Sequence, residues 1–159
     1  MTPPLFPVAL DALGRLAVAA RPRGHDWLSD EVAGWKRAGV TLVVSLLTPD
    51  EDTELGLTAE AAECAAAGIE FVNLPIPDRG LPRSRTEFDA VVSRVVGEVN
   101  RDGMAVTHCR QSVGRAPLLA VAVLKAFGVP TEDATARVSA ARGVRVPEMN
   151  EQAEWVAGG

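Results

Sequence analysis

A switch from strand to helix across one short polar segment constrains this sequence most. Met104-Ala-Val-Thr-His108 reads as a short buried strand, and Pro117-Leu-Leu-Ala-Val-Ala-Val-Leu124 reads as an apolar helix. His108-Cys109-Arg110-Gln111-Ser112-Val113-Gly114-Arg115 is therefore a strand-to-helix loop. Backbone N–H groups at a helix start have no intrahelical partners, and together with the helix dipole they favour an anion at that point. A cysteine at a helix N-terminus beside cations is pushed toward its thiolate, the nucleophilic form. Arg115, six positions after Cys109, adds a planar fork suited to two phosphate oxygens. Cys109 and Arg115 are thus expected to attack and grip one phosphate, against the plainer reading of a buried structural cysteine beside a surface arginine.

The rest of the chain fits a single α/β domain over residues 1–159, long enough to bury a substantial core. Apolar content of 47% with 23% charged residues excludes a disordered chain. No apolar run reaches membrane-spanning length, and the N-terminal Met-Thr-Pro-Pro-Leu-Phe-Pro lacks the basic start and apolar core of a signal peptide. A cytoplasmic protein with no membrane partner is the expectation. Cys64, in the Ala-rich Glu60–Ala67 helix, reads as a small buried residue in a reducing compartment. A net charge of −5 argues against nucleic-acid binding. Arg79, Arg83, Arg85, Arg110, Arg115, Arg142 and Arg145 nevertheless crowd the stretches assigned to the site, which suggests a local basic mouth for an anionic substrate.

Phe6–Leu10 and Leu16–Ala20 read as a β-hairpin turned by Asp11-Ala-Leu-Gly14, and a helix runs from Asp26–Ser29 to Gly39. Val40–Leu47 is a continuous run expected of a strand buried on both faces. A helix over Thr58–Ala67, a strand over Ile69–Leu74 and a helix opened by the capping box Ser84-Arg-Thr-Glu87 follow. After the thiol loop come helices to Gly128, from Thr131 to Arg142, and one carrying Trp155. Strands alternating with helices, then a helical last third, give an α/β fold with a mainly parallel central sheet flanked by helices. Ligands in such sheets sit beyond the carboxyl ends of the strands, where Cys109 falls.

A departing alcohol or phenol needs a proton, which an Asp on a mobile loop can supply. Pro75-Ile-Pro-Asp78-Arg-Gly-Leu-Pro82 follows the Ile69–Leu74 strand and emerges on the same edge as the thiol loop, so Asp78 is the candidate general acid. Gly80 between the prolines is the candidate hinge. The rival reading is an ordinary Asp in a turn.

His108-Cys109-x5-Arg115 with the upstream Pro77-Asp78 resembles the cysteine-dependent protein tyrosine and dual-specificity phosphatases. The likeness runs from about Asp26 to Val156 and is nearest to the small kinase-associated type, whose Pro-Ile-x-Asp-x-Gly-x-Pro loop corresponds to Pro75–Pro82, with Arg142-Gly143 before Gln152. The resemblance implies the phosphatase three-layer sandwich and hydrolysis of a phosphate monoester through a phosphocysteine, with no metal or other cofactor. It implies Cys109 as nucleophile, Arg115 as clamp, Asp78 as acid and then base, and the backbone of Arg110, Gln111, Ser112, Val113, Gly114 and Arg115 as the oxyanion cradle. His108 would brace the loop, and Gln152 would position the hydrolytic water, with a solvated helix glutamine as the rival. The partner would be a phosphorylated protein or a small phosphomonoester, met by a monomer.

Two positions depart from the pattern. Ala116 stands where the family usually carries Ser or Thr to steady the departing thiolate, and Ser112 stands where it commonly has Gly, often with positive φ. A phosphate-recognition module with weak turnover therefore stays open beside the active phosphatase. So does another cysteine-loop enzyme, an arsenate reductase or a rhodanese-type sulfurtransferase.

Overall fold

The structure, a computed structural model, describes residues 4–158. Its first strands, β1 (Leu5–Pro7) and β2 (Arg15–Ala20), pair antiparallel with Phe6 opposite Val18. β1 is shorter than the Phe6–Leu10 expected, because Pro7 has no N–H to extend the ladder and the pairing closes with Val8 N–H donating to Leu16 O at 2.9 Å. The turn needs Gly14 for close approach: a Cβ there would lie 2.2 Å from Gly103 O.

After a 3-10 turn at His25–Trp27 the chain forms α1 (Leu28–Ala38), which ends on Gly39 at φ 95. Then follow β3 (Leu42–Ser45), α2 (Pro49–Leu55), α3 (Glu60–Ala66), β4 (Glu70–Asn73), α4 (Arg85–Asn100), β5 (Met104–Cys109), α5 (Arg115–Ala126), α6 (Thr131–Arg142) and α7 (Asn150–Ala157). The sheet order is β1-β2-β5-β3-β4, and β2, β5, β3 and β4 run parallel. β3 is narrower than the run Val40–Leu47, yet Val40, Leu46 and Leu47 at its flanks are as buried as the strand itself. Among the described residues no helix is long and apolar enough to cross a membrane.

Alternation along the strands splits the core between the two faces of the sheet. Val18, Val44 and Ala105 pack with Phe88, Val95, Leu118 and Val138 from α4, α5 and α6. Ala19, Val43 and Val106 pack on the other face with Val32 and Trp35 of α1 and Cys64 of α3. The architecture is thus helices, sheet, helices, with β5 at its centre. Cys64 is free and fully buried, and burial, aided by Glu60 and Glu63, pushes its thiol up to about 12. Such a thiol is inert.

Two local expectations change. The Ser84 hydroxyl caps α4 by accepting from Glu87 N–H at 3.1 Å, but the Glu87 carboxylate pairs with Arg83 and leaves the box half closed. The full capping box is at α2, which sequence periodicity does not reveal: Thr48 Oγ1 accepts from Glu51 N–H, and Glu51 Oε1 accepts from Thr48 N–H at 3.0 Å.

Candidate active site

β5 delivers Cys109 to the carboxyl edge of the sheet, and α5 starts at Arg115 on the far side of a tight loop. Two backbone details shape that loop. Ser112 sits at φ 62, and a Cβ on Gly114 would come 3.1 Å from Gln152 Oε1, so the loop passes so near Gln152 that a side chain there would have to push the glutamine aside by a few tenths of an ångström. Cys109 is 3% exposed, and its Sγ accepts a hydrogen bond from Ala116 N–H at 3.4 Å. That donor lies in the first turn of α5, where backbone N–H groups lack helical partners.

Arg115 is buried and held from several sides. Its Nη1 donates to Glu51 Oε1 at 2.6 Å and to Ile76 O at 2.9 Å, and its Nη2 donates to Glu51 Oε2 at 3.0 Å and to Asp78 Oδ1 at 3.2 Å. The Nε–H takes no part in these bonds. Burial disfavours the cation, but the Glu51 hydrogen bonds and the charges of Cys109, Glu51 and Asp78 outweigh it and raise the pKa of Arg115. Glu51 is the reciprocal case: burial pushes its carboxyl up, and the bonds from Arg115 and Thr48 bring it below the ordinary value.

Cys109, Arg115 and Asp78 line one cavity of about 210 Å³. Arg110, Gln111, Val113 and Gly114 of the loop complete its floor and wall, and Arg79 and Glu148 stand with Asp78 around it. Ser112 is fully buried and does not line it. The Asp78 side chain is 56% exposed, on a turn in which Arg79, not Gly80, takes the left-handed conformation at φ 61.

His108 lies on the opposite face from Cys109, as adjacent residues of a strand must. Its Nε2 meets Glu60 Oε2 at 2.6 Å, and its ring packs on Trp35 at 5.9 Å between centroids. The imidazole therefore braces β5 against α3 and α1, away from the cavity. Gln152 is fully buried; its Nε2 donates to Gly80 O at 3.1 Å, and its Oε1 has no hydrogen-bond partner among the described residues. It bridges the Asp78 loop and the Cys109 loop, which no solvated helix glutamine would do.

The arginines expected at the mouth mostly serve elsewhere. Arg83 pairs with Glu87 on the surface, Arg85 stacks 3.7 Å over Trp155, and Arg142 bonds to Ser112. Arg110 lines the cavity but is paired with Glu51 at 3.3 Å and Glu54 at 3.0 Å. Sequence reasoning missed Glu51, Glu54 and Glu60. The Thr48-Pro-Asp-Glu51 pattern was the available signal for the first; nothing local marks the other two.

No family model and no curated protein matches the chain by sequence. Solved structures do match. A kinase-associated phosphatase whose catalytic-site cysteine is replaced by serine aligns over 98% of this chain and 93% of its own, with a TM-score of 0.89 at 16% identity. Tk-PTP in its active form aligns over 91% and 92%, with a TM-score of 0.73 at 24% identity. A Cys-to-Ser form of P. aeruginosa TpbA in complex with phosphotyrosine aligns over 96% and 88%, with a TM-score of 0.62 at 19% identity. The chain has the fold of the cysteine-based tyrosine and dual-specificity phosphatases.

Proposed function

We propose that this protein hydrolyses phosphate monoesters as a tyrosine or dual-specificity phosphatase, through a phosphocysteine intermediate. The observation that carries this reading is the meeting of Cys109 and Arg115, from the two ends of one loop, with Asp78 from a separate segment, in one cavity at the N-terminus of α5. In the first step the Cys109 thiolate attacks phosphorus, the S–P bond forms and the ester P–O bond breaks. Asp78 gives its proton to the leaving oxygen. In the second step water attacks the phosphocysteine, Asp78 takes the water proton, and the thiolate leaves with its electron pair.

The cradle is electrostatic. Backbone N–H groups from Arg110 to Arg115 and the Arg115 fork would face the three phosphoryl oxygens, over which the charge is spread in the transition state. Glu51 fixes the fork before substrate arrives, so little ordering remains to be done on binding. Asp78 accepts from Arg115 Nη2, and an arriving phosphate would take its place there, which would free the carboxyl for the ester oxygen. Gln152, beside Gly114 with an oxygen that has no partner among the described residues, is suited to orient the attacking water. The substrate class is a phosphorylated protein or a small phosphomonoester; the phosphotyrosine complex of TpbA supports the former.

Release of phosphate from an aryl phosphate tests the reading. Cys109→Ser should abolish turnover and still bind inorganic phosphate, because a hydroxyl is not ionised at neutral pH. Residual turnover in that variant would remove Cys109 from the chemistry. A second reading, a phosphate-binding module with weak turnover, is favoured by Ala116, which meets the sulfur with its backbone N–H and has no side-chain hydroxyl to offer, and phosphate binding without release in the natural sequence would select it.

A further inference from the structure

We propose that Arg142 is a positioning residue: through the Ser112 hydroxyl it holds the middle of the Cys109–Arg115 loop in the shape that binds phosphate. Ser112 and Arg142 form a working pair, and the proposal rests on the phosphatase reading for its kinetic readout alone.

A serine at φ 62 occupies a region that a residue with a Cβ enters at a cost. Something must hold it there. The Ser112 side chain turns away from the cavity, since Gln111 and Val113 line the space and Ser112 does not. Outside the loop its hydroxyl donates to Gln111 O and accepts from Arg142 Nε–H at 2.7 Å. Arg142 Nη2 reaches Gln111 O at 3.4 Å. The guanidinium itself is fixed, lying 4.6 Å over the Phe6 ring of β1 at the end of α6, where Gly143 stops the helix. Arg142 therefore ties the first strand and α6 to the outside of the loop.

One peptide unit carries the consequence. In a planar trans peptide the C=O and N–H point in opposite directions. Gln111 O is drawn outward by Arg142 and the Ser112 hydroxyl, so the Ser112 N–H is aimed inward, where phosphate oxygens would lie. A glycine at this position would take the same φ freely and need less support. The serine makes the arginine necessary. The same two bonds engage both the proton and a lone pair of the Ser112 hydroxyl, which is therefore not the donor that replaces the missing hydroxyl at Ala116.

A double-mutant cycle tests the pair, with inorganic phosphate binding by calorimetry as one readout and kcat and KM on an aryl phosphate as the other. Arg142→Gln should weaken phosphate binding and lower kcat/KM by about tenfold, the worth of one charge-assisted hydrogen bond. In a Ser112→Gly background the same substitution should cost at most about threefold, the share of the longer bond to Gln111 O. Arg142→Lys should lose as much as Arg142→Gln, because a point charge cannot make the forked contact. Thermal unfolding of each variant separates loop geometry from general loss of stability. Equal losses in both backgrounds, or full recovery with lysine, would overturn the pairing. The phosphatase reading fails separately, by absence of turnover in the natural protein, and the binding cycle still decides the pair in that case. A natural protein that binds no phosphate overturns both.

Discussion

At the residue scale, the site turns on how few atoms do the chemistry and how many hold them. Asp78 is the exposed member, and its proposed role has a leaving-group signature. Asp78→Asn should lower kcat by about 10²–10⁴-fold for an alkyl or simple phenyl phosphate and by much less for a highly activated aryl ester, whose leaving group needs no proton. An equal penalty for both would make the residue structural, a partner of Arg115 only. Ala116 bears on the second half of the reaction. Its backbone N–H already donates to Cys109 Sγ, but at 3.4 Å to a sulfur this is one weak donor where a side-chain hydroxyl would add a second. Formation of the phosphocysteine should then outpace its breakdown and give a burst of product. Ala116→Ser should raise kcat by about 10-fold, and at most about 100-fold, with a much smaller change in kcat/KM, because that ratio ends at the first irreversible step. Rapid mixing on both proteins reads it. No burst and no gain in kcat would mean that the single backbone donor suffices.

At the element scale, the strand-loop-helix around Cys109 was legible because its signal is local: a buried strand, a polar loop and an apolar helix in direct succession. α2 was not, because Pro49–Leu55 offers one large apolar residue, Leu55, and so no helical period to count. Its start was written nonetheless, as Thr48-Pro49-Asp-Glu51, a capping box with proline at the first helical position. The box does more than start a helix. The same Glu51 carboxylate that accepts from Thr48 N–H also holds Arg115, so the cap geometry aims the anchor of the clamp. That second duty spans residues far apart in the chain and has no local pattern. Asp52, next in α2, offers a test of the surroundings. Burial, then the nearby Glu60 charge, raise its pKa from 3.8 to about 6, with Glu51 adding to the rise and His108 opposing it. The native state thus binds this proton more tightly than the unfolded chain, so the contribution of Asp52 to stability falls as pH climbs from 3.8 through about 6. Asp52→Asn should unfold at the same temperature as the natural protein below about pH 4 and at a temperature a few degrees higher above about pH 6. A lower unfolding temperature for the variant at neutral pH would mean that attraction of the carboxylate to the N-terminus of α2 outweighs burial.

At the scale of the whole molecule, the sheet order explains why three separated segments meet. β5 lies between β2 and β3, with β4 beyond β3, and the parallel run brings the carboxyl ends of β3, β4 and β5 to one edge. The chain leaves β3 into α2 and Glu51, β4 into the Asp78 loop, and β5 into the Cys109 loop. Alternating strands and helices made that layout readable. The electrostatics were not readable, because a count of arginines says nothing of their partners. The expected basic mouth reduces to Arg79 and an Arg110 already paired with Glu51 and Glu54, facing Asp78 and Glu148. Beyond the buried Arg115 the rim charges nearly cancel, while the molecule as a whole carries −5. On the proposed function, a phosphate dianion would therefore be repelled at long range and captured only on entry. With a basic funnel, salt would slow the encounter; here screening lifts the repulsion. Between about 20 and about 200 mM salt, kcat/KM for a small aryl phosphate should hold steady or rise by up to about twofold, whereas a fall of about tenfold would reveal a steering cationic surface. Potassium chloride serves, with the series repeated using a second monovalent anion, since competition for the cradle would depend on which anion is present whereas screening depends on ionic strength alone.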